Sequence, residues 1–122
     1  MGRINWLPLR TASQIEEIVE QSFSTTCIIY KHSTRCSLSS LAKHRLEREW
    51  PHGERLVLPY FLDLIANREV SSLVAQYFGV THQSPQLLLI QEGRCIYHSS
   101  HLNIEARSLD AYFFDNRQKP GH

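Results

Sequence analysis

Cys27-Ile28-Ile29-Tyr30-Lys31-His32-Ser33-Thr34-Arg35-Cys36-Ser37-Leu38-Ser39 is the stretch that decides the fold. Thr26 to Lys31 is β-branched and apolar, the composition of a strand buried on both faces. Beyond the polar link that ends at Arg35 the pattern turns helical. Leu38, Leu41, Ala42 and Leu46 recur at three- and four-residue spacing, so a helix starting near Cys36 and burying that stripe is expected. A cysteine in a helix's first turn meets unsatisfied backbone N–H groups and the positive end of the dipole, which favour thiolate over thiol. Thiolate is the nucleophilic form. An average cysteine is a small buried hydrophobe. The neighbours Arg35, Ser37, Ser39 and Ser40 are not core company, and they mark Cys36 as the candidate nucleophile, with Thr34, Arg35, Ser37 and Ser39 as its supporting loop.

Outward from this stretch the elements alternate. Upstream, Ser13 and Glu16 form a capping-box pattern, and Ile15, Ile18, Val19 and Phe23 follow near helical spacing. A short strand is possible near Asn5 to Leu7. Downstream, the helix begun at Cys36 is expected to end at Trp50-Pro51-His52-Gly53. Leu56 to Ile65 then reads as a second strand, with Pro59 pushing its firm part towards Tyr60 to Leu64. Asn67 opens a helix carrying Val70, Leu73, Val74, Tyr77 and Phe78, and Gly79 closes it. Leu87 to Gln91 and Cys95 to Ser99, joined by Glu92-Gly93-Arg94, form a hairpin. A last helix is expected from about Asn103, with Leu109, Tyr112 and Phe113 inward. The fold class is therefore α/β: a mixed sheet of four or five strands with a right-handed crossover and helices on both faces.

A chain of 122 residues suggests one domain over residues 1–122, with 115–122 as a flexible tail. Thirteen basic and twelve acidic residues give a net charge of +1, which argues against nucleic acid as the main partner. No apolar run approaches a bilayer span and the start lacks a signal-peptide core, so a cytoplasmic protein without a membrane partner is expected. Three cysteines without paired spacing make no disulfide framework and fit a reducing compartment. The seven histidines lack metal-ligand spacing, the five glycines are isolated, and no G-x-S-x-G elbow is present, so no metal or bound cofactor is expected.

A reactive cysteine after the first strand of such a unit is the arrangement of thioredoxin-like folds, and Ser84-Pro85-Gln86 stands where they carry a cis-proline. The blocks Lys31 to Ser39, Leu62-Asp63-Leu64-Ile65 with Arg68, His82-Gln83-Ser84-Pro85-Gln86 and Ser100-His101 together resemble the monothiol bacilliredoxins of the bacillithiol system. The similarity runs from Trp6 to the final helix. It implies removal of bacillithiol from mixed disulfides on client proteins, without a bound cofactor and with bacillithiol or a similar low-molecular-weight thiol as co-substrate. It places the attacking cysteine at Cys36 and the serine three residues on at Ser39. Ser37 departs from the proline that several members carry there, which leaves the redox potential and the identity of the thiol open.

Independently of the resemblance, Cys36-Ser37-Leu38-Ser39 lacks the second sulfur of a C-x-x-C dithiol, so an outside thiol or dithiol reductant must complete the cycle. Cys27 lies near the start of the first strand, roughly 15 Å in level from Cys36. Cys95 starts the last strand at the same far end, so both exceed the roughly 7 Å limit for bridging Cα atoms. The strand topology gathers Ser84, Pro85 and Gln86, Arg68 and His101 at the edge where Cys36 stands. Backbone groups at Ser84 suit an extended adduct, and Arg35, Arg68 and His101 suit the carboxylates of bacillithiol's malate moiety. Arg68 reads equally as an exposed helix-start residue, and His101 as a cap. Lys31 and His32 read as loop charges, and Arg45 and Arg48 as a solvated helix face. Two alternatives stay open: a redox-inactive thioredoxin-like interaction or sensor module, and a monothiol reductase using a different small thiol.

Overall fold

The computed structural model describes residues 4–50 and 57–112. Its strands are β1 (Leu7–Pro8), β2 (Thr26–His32), β3 (Val57–Asp63), β4 (Gln86–Gln91) and β5 (Arg94–Ser100), and its helices α1 (Ala12–Gln21), α2 (Ser37–Arg48) and α3 (Arg68–Phe78). The sheet order is β1-β3-β2-β4-β5. β1, β3 and β2 run parallel, and β4 and β5 run antiparallel to their neighbours. The expected possible fifth strand is real, though it is centred later, at Leu7–Pro8.

Alternation along β2 divides the core. Ile28 and Tyr30 pack with Ala42 and Leu46 of α2 and with Ile104, Ala106 and Leu109. Cys27 and Ile29 pack with Ile15 and Ile18 of α1 and Val70 and Val74 of α3. With helices on both faces, every β2 residue from Cys27 to His32 is buried. Pro59 lies inside β3 rather than at its margin. The Leu9 N–H donates to Phe61 O at 2.8 Å, so odd-numbered β3 residues aim their backbone at β1. Because β1 reaches only Tyr60 and Phe61, the N–H that Pro59 lacks falls where there is no ladder partner.

Several local expectations are corrected. α1 is capped by Thr11, not Ser13: Gln14 Oε1 accepts the Arg10 and Thr11 amides at 2.7 and 3.0 Å, which starts the helix two residues early. Phe23 follows the helix and is exposed, its ring lying against Gly93. A Cβ at Gly93 would sit 3.2 Å from that ring, and its φ of +78° favours glycine as well. α2 buries Ser39, Ala42 and Leu46, so its inward stripe centres on Ser39 and turns Leu41 to solvent at 51% exposure. Arg45 is not simply solvated: it reaches Glu105 at 3.9 Å. No regular helix begins at Asn103. Single 3-10 turns at His101–Asn103 and Ala106–Leu109 flank an extended Ile104, whose fully buried side chain requires the bend, and α-helix starts only at Asp110. α2 ends at Arg48, before the expected Trp50-Pro51-His52-Gly53, with Glu49 as its C-cap. Pro51 to Gly53, the strand start at Leu56, inward Phe113 and the 115–122 tail lie outside the described residues. Among the described residues no helix is long and apolar enough to cross a membrane.

Candidate active site

Register brings the candidate residues to one edge. His32 pairs with Asp63, Lys31 with Gln86, and Gln86 with Ser100, so the ends of β2, β3 and β5 meet the start of β4. Leu64 N–H donates to His32 O at 2.8 Å and His101 N–H to Pro85 O at 3.0 Å, fixing both flanking turns. Cys36 is the N-cap of α2, extended at φ −117°, ψ 114°, and half-buried. Its N–H donates to Ser33 O at 3.1 Å, and its carbonyl accepts the Ser39 and Ser40 amides at 3.0 and 3.3 Å. The Ser37 and Leu38 amides of the first turn have no helical acceptor, and this leaves donors beside the cysteine.

Ser39, where a dithiol would carry its second sulfur, is fully buried. Its hydroxyl lies 2.7 Å from His32 Nδ1 and accepts the Ser33 N–H at 3.1 Å, while Tyr30 Oη donates to Ser39 O at 2.7 Å. Burial, then the Lys43 charge, lowers the His32 pKa against the opposing pull of Asp63 and Glu47. His32 is therefore a neutral imidazole at pH 7, and with its proton on Nε2 its Nδ1 accepts from Ser39. Burial pushes Tyr30 up to about 12 against the Ser39 hydrogen bond, with Cys36 and Glu47 adding to the rise. The floor beneath this group is aromatic: His32 lies 5.2 Å from Phe61 and 6.2 Å from Tyr30, ring centre to ring centre.

The other candidates divide by environment. Thr34, Arg35 and Ser37 are exposed, and the Arg35 N–H donates to Ser33 Oγ at 3.3 Å. The Ser84–Pro85 peptide is cis, and Ser84 Oγ is shielded without a hydrogen-bond partner among the described residues. Gln86 is buried and its side chain braces the preceding loop: Nε2 donates to Thr81 O at 3.0 Å and Oε1 accepts the Gln83 N–H at 3.4 Å. Arg68 is the exposed first residue of α3. Exposed His101 holds φ +56° at the end of β5.

A family model described as monothiol bacilliredoxin BrxC matches residues 7–109. The chain belongs to that family. Among solved structures, this bacilliredoxin is similar to a thioredoxin-fold protein proposed to be an oxidoreductase, at 26% identity and TM-score 0.73, over 85% of this chain and 89% of that one. It is also similar in fold to thioredoxins from Malassezia sympodialis (17% identity, TM-score 0.67, 94% and 93% covered) and Trypanosoma brucei brucei (15%, 0.67, 94% and 92%). Family and fold agree on a thioredoxin-like protein with a thiol-redox function.

Two bacilliredoxin residues were misread as loop charges. Lys31 and His32 are the last residues of β2, buried on opposite faces. Lys31 Nζ lies 3.1 Å from His82 Nδ1 and donates to Ser71 O at 3.3 Å, and burial lowers its pKa to about 8. The available signal was the crossover topology itself. A central strand covered on both faces extends its burial to the residue before the turn, so polar side chains at that point need internal partners.

Proposed function

We propose that this bacilliredoxin is a single-domain monothiol thiol-disulfide oxidoreductase that removes bacillithiol from protein mixed disulfides through Cys36. The observation that carries this reading is the pairing of Cys36 at the head of α2 with a Ser39 hydroxyl held on His32. Cys36 is half-buried at the head of α2, and the position three residues on is buried and sulfur-free, which supports a one-sulfur cycle. In the first step the Cys36 thiolate attacks the bacillithiol sulfur. A Cys36–bacillithiol disulfide forms, the client's disulfide breaks, and the client sulfur leaves as thiolate and takes a proton from solvent. In the second step the thiolate of a recycling thiol or dithiol reductant attacks the bacillithiol sulfur and releases Cys36. Arg35, Arg68 and His101 are the side chains proposed to meet the malate carboxylates. The backbone at Ser84–Pro85 is proposed to pair with the extended adduct. A cytoplasmic setting, where thiols stay reduced, fits this cycle.

The deciding experiment mixes the protein with a peptide carrying bacillithiol on its cysteine and follows intact mass. Release of free peptide with bacillithiol appearing on Cys36 is expected. An unmodified protein and an intact peptide would remove this reading, and equal release from a glutathione-bearing peptide would point to a different small thiol. Binding of clients without any thiol exchange would favour an interaction module.

A further inference from the structure

Lys31 and Gln86 are register partners at the ends of neighbouring strands, and their side chains are enclosed at 0% and 1% exposure. Both reach into the same three residues. Lys31 Nζ approaches His82 Nδ1 at 3.1 Å, and Gln86 ties Thr81 O and the Gln83 N–H at 3.0 and 3.4 Å. An ammonium has only donors, so His82 Nδ1 is the acceptor and the ring proton sits on Nε2. A second Lys31 proton goes to Ser71 O in α3 at 3.3 Å, which gives the clamp a fixed anchor. Directly after this loop come Ser84 and Pro85, and the Pro85 carbonyl is held from the other side by the His101 N–H at 3.0 Å. Among the described residues no carboxylate pairs with Lys31. A methionine or leucine would fill such a core position without desolvating a charge. What lysine adds is its set of donors, and both observed contacts lead to the loop or its anchor.

We propose that Lys31 is a positioning residue for the substrate edge, its buried ammonium clamping His82 to α3 so that Ser84 and Pro85 are presented beside Cys36. This rests on the reading that the Ser84–Pro85 edge receives the mixed disulfide. The full-length Lys31→Met and His82→Ala variants are compared with wild type in three measurements: turnover of a bacillithiol-bearing peptide, iodoacetamide labelling of Cys36, and amide hydrogen exchange at residues 81–86. Loss of one charged hydrogen bond predicts KM raised about tenfold and exchange at 81–86 accelerated about tenfold. The kcat and the Cys36 labelling rate stay within about twofold, because neither depends on the clamp once the peptide is bound. Unchanged KM and exchange overturn the proposal. So does a fall in Cys36 labelling that matches the fall in kcat/KM, since that pattern means general damage. If Lys31→Met does not fold, His82→Ala, a change in an exposed loop residue, decides by the same criteria. Absence of wild-type turnover on the peptide defeats the substrate reading instead, and the exchange measurement then judges the clamp alone.

Discussion

The two ends of β2 hold cysteines of opposite character. At its start, Cys27 is fully buried, its sulfur lies 3.4 Å from Thr25 O and 3.8 Å from Ile18 O, and burial drives its pKa up to about 12. Just past its end, Cys36 is half-buried and opens a helix whose first amides have no acceptors. Acceptors surround the first sulfur and burial keeps it as thiol, whereas the second stands at the head of α2. Cys95 shares the inert end: it pairs with Ile90, which pairs with Cys27, and burial raises its pKa as well. Two strand spacings separate Cys27 from Cys95 by about 10 Å, and four residues from Cys27 to Lys31 span about 13 Å. Neither distance allows a disulfide without backbone movement.

Exchanging the residues at the two ends tests this contrast most severely. Cys36→Ser is expected to lower kcat/KM by about three orders of magnitude or more, as removal of a nucleophile does. Cys27→Ser and Cys95→Ser should keep turnover, with Cys27→Ser losing stability because a hydroxyl replaces sulfur in the core. Peptide mapping of the oxidised wild-type protein gives the complementary check. A dominant Cys36–Cys27 or Cys36–Cys95 bridge would erase the distinction and make the protein a dithiol enzyme.

Alkylation reads the same contrast without turnover. The rise of the Cys27 pKa from 9.0 to about 12 reduces its thiolate fraction about a thousandfold near neutral pH, before steric shielding is counted. Iodoacetamide at pH 7 should therefore label Cys36 first, Cys95 slowly, and Cys27 only on unfolding. Faster labelling at Cys95 would show that the hairpin end is open.

How much of this was legible follows from where each signal resides. The change from β-branched run to helical stripe around Cys36 is a local pattern, so strand and helix could both be read from it, with Cys36 at their junction. The Asn67–Gly79 helix limits and the Glu92-Gly93 turn are also local chemistry. Lys31, His32 and Gln86 were misread or only half understood because their meaning is tertiary: a charged residue before a turn is normally solvated, and only coverage of both sheet faces encloses it. Leu41 failed for a related reason, since Tyr30 and His32 recruit Ser39 inward and rotate the buried stripe of α2. The bend at Ile104 likewise depends on a core that no local window contains.

The polar clusters at the Cys36 end of the sheet titrate, and their linkage signs can be worked out. Lys31 has a folded pKa of about 8 against 10.5, so above pH 8 the unfolded chain binds more protons and stability rises with pH. The lowered values of His32 and His82 act similarly lower down, costing stability as pH falls below 6.5. Cys27 opposes on the alkaline side, because a raised thiol loses stability above its unfolded value of 9.0. Lys31 is therefore best isolated between pH 8 and 9. Relative to Lys31→Met, wild type should gain about 1 kcal/mol between pH 7 and 9 in urea unfolding. A difference that stays flat across that range would mean that burial does not lower the Lys31 pKa in the folded protein.

The smallest expected effect concerns the outer rim of the same edge, where Arg68 and His101 are exposed and Cys36 is only half-buried. If these side chains meet the carboxylates of a bacillithiol adduct, Arg68→Ala and His101→Ala weaken use of that adduct more than use of an uncharged small disulfide. Exposed charge contacts are worth about 1 kcal/mol or less, so kcat/KM on the charged substrate should fall about fivefold per residue at low salt and less at high salt. His101 also holds φ +56° and donates its N–H to Pro85 O, so its side chain and its backbone have separable roles. His101→Asn tolerates the same backbone while removing the imidazole, and it should reproduce the charge-dependent loss alone. Equal losses on both substrates in every variant would assign Arg68 and His101 to shaping the turn rather than to reading the thiol.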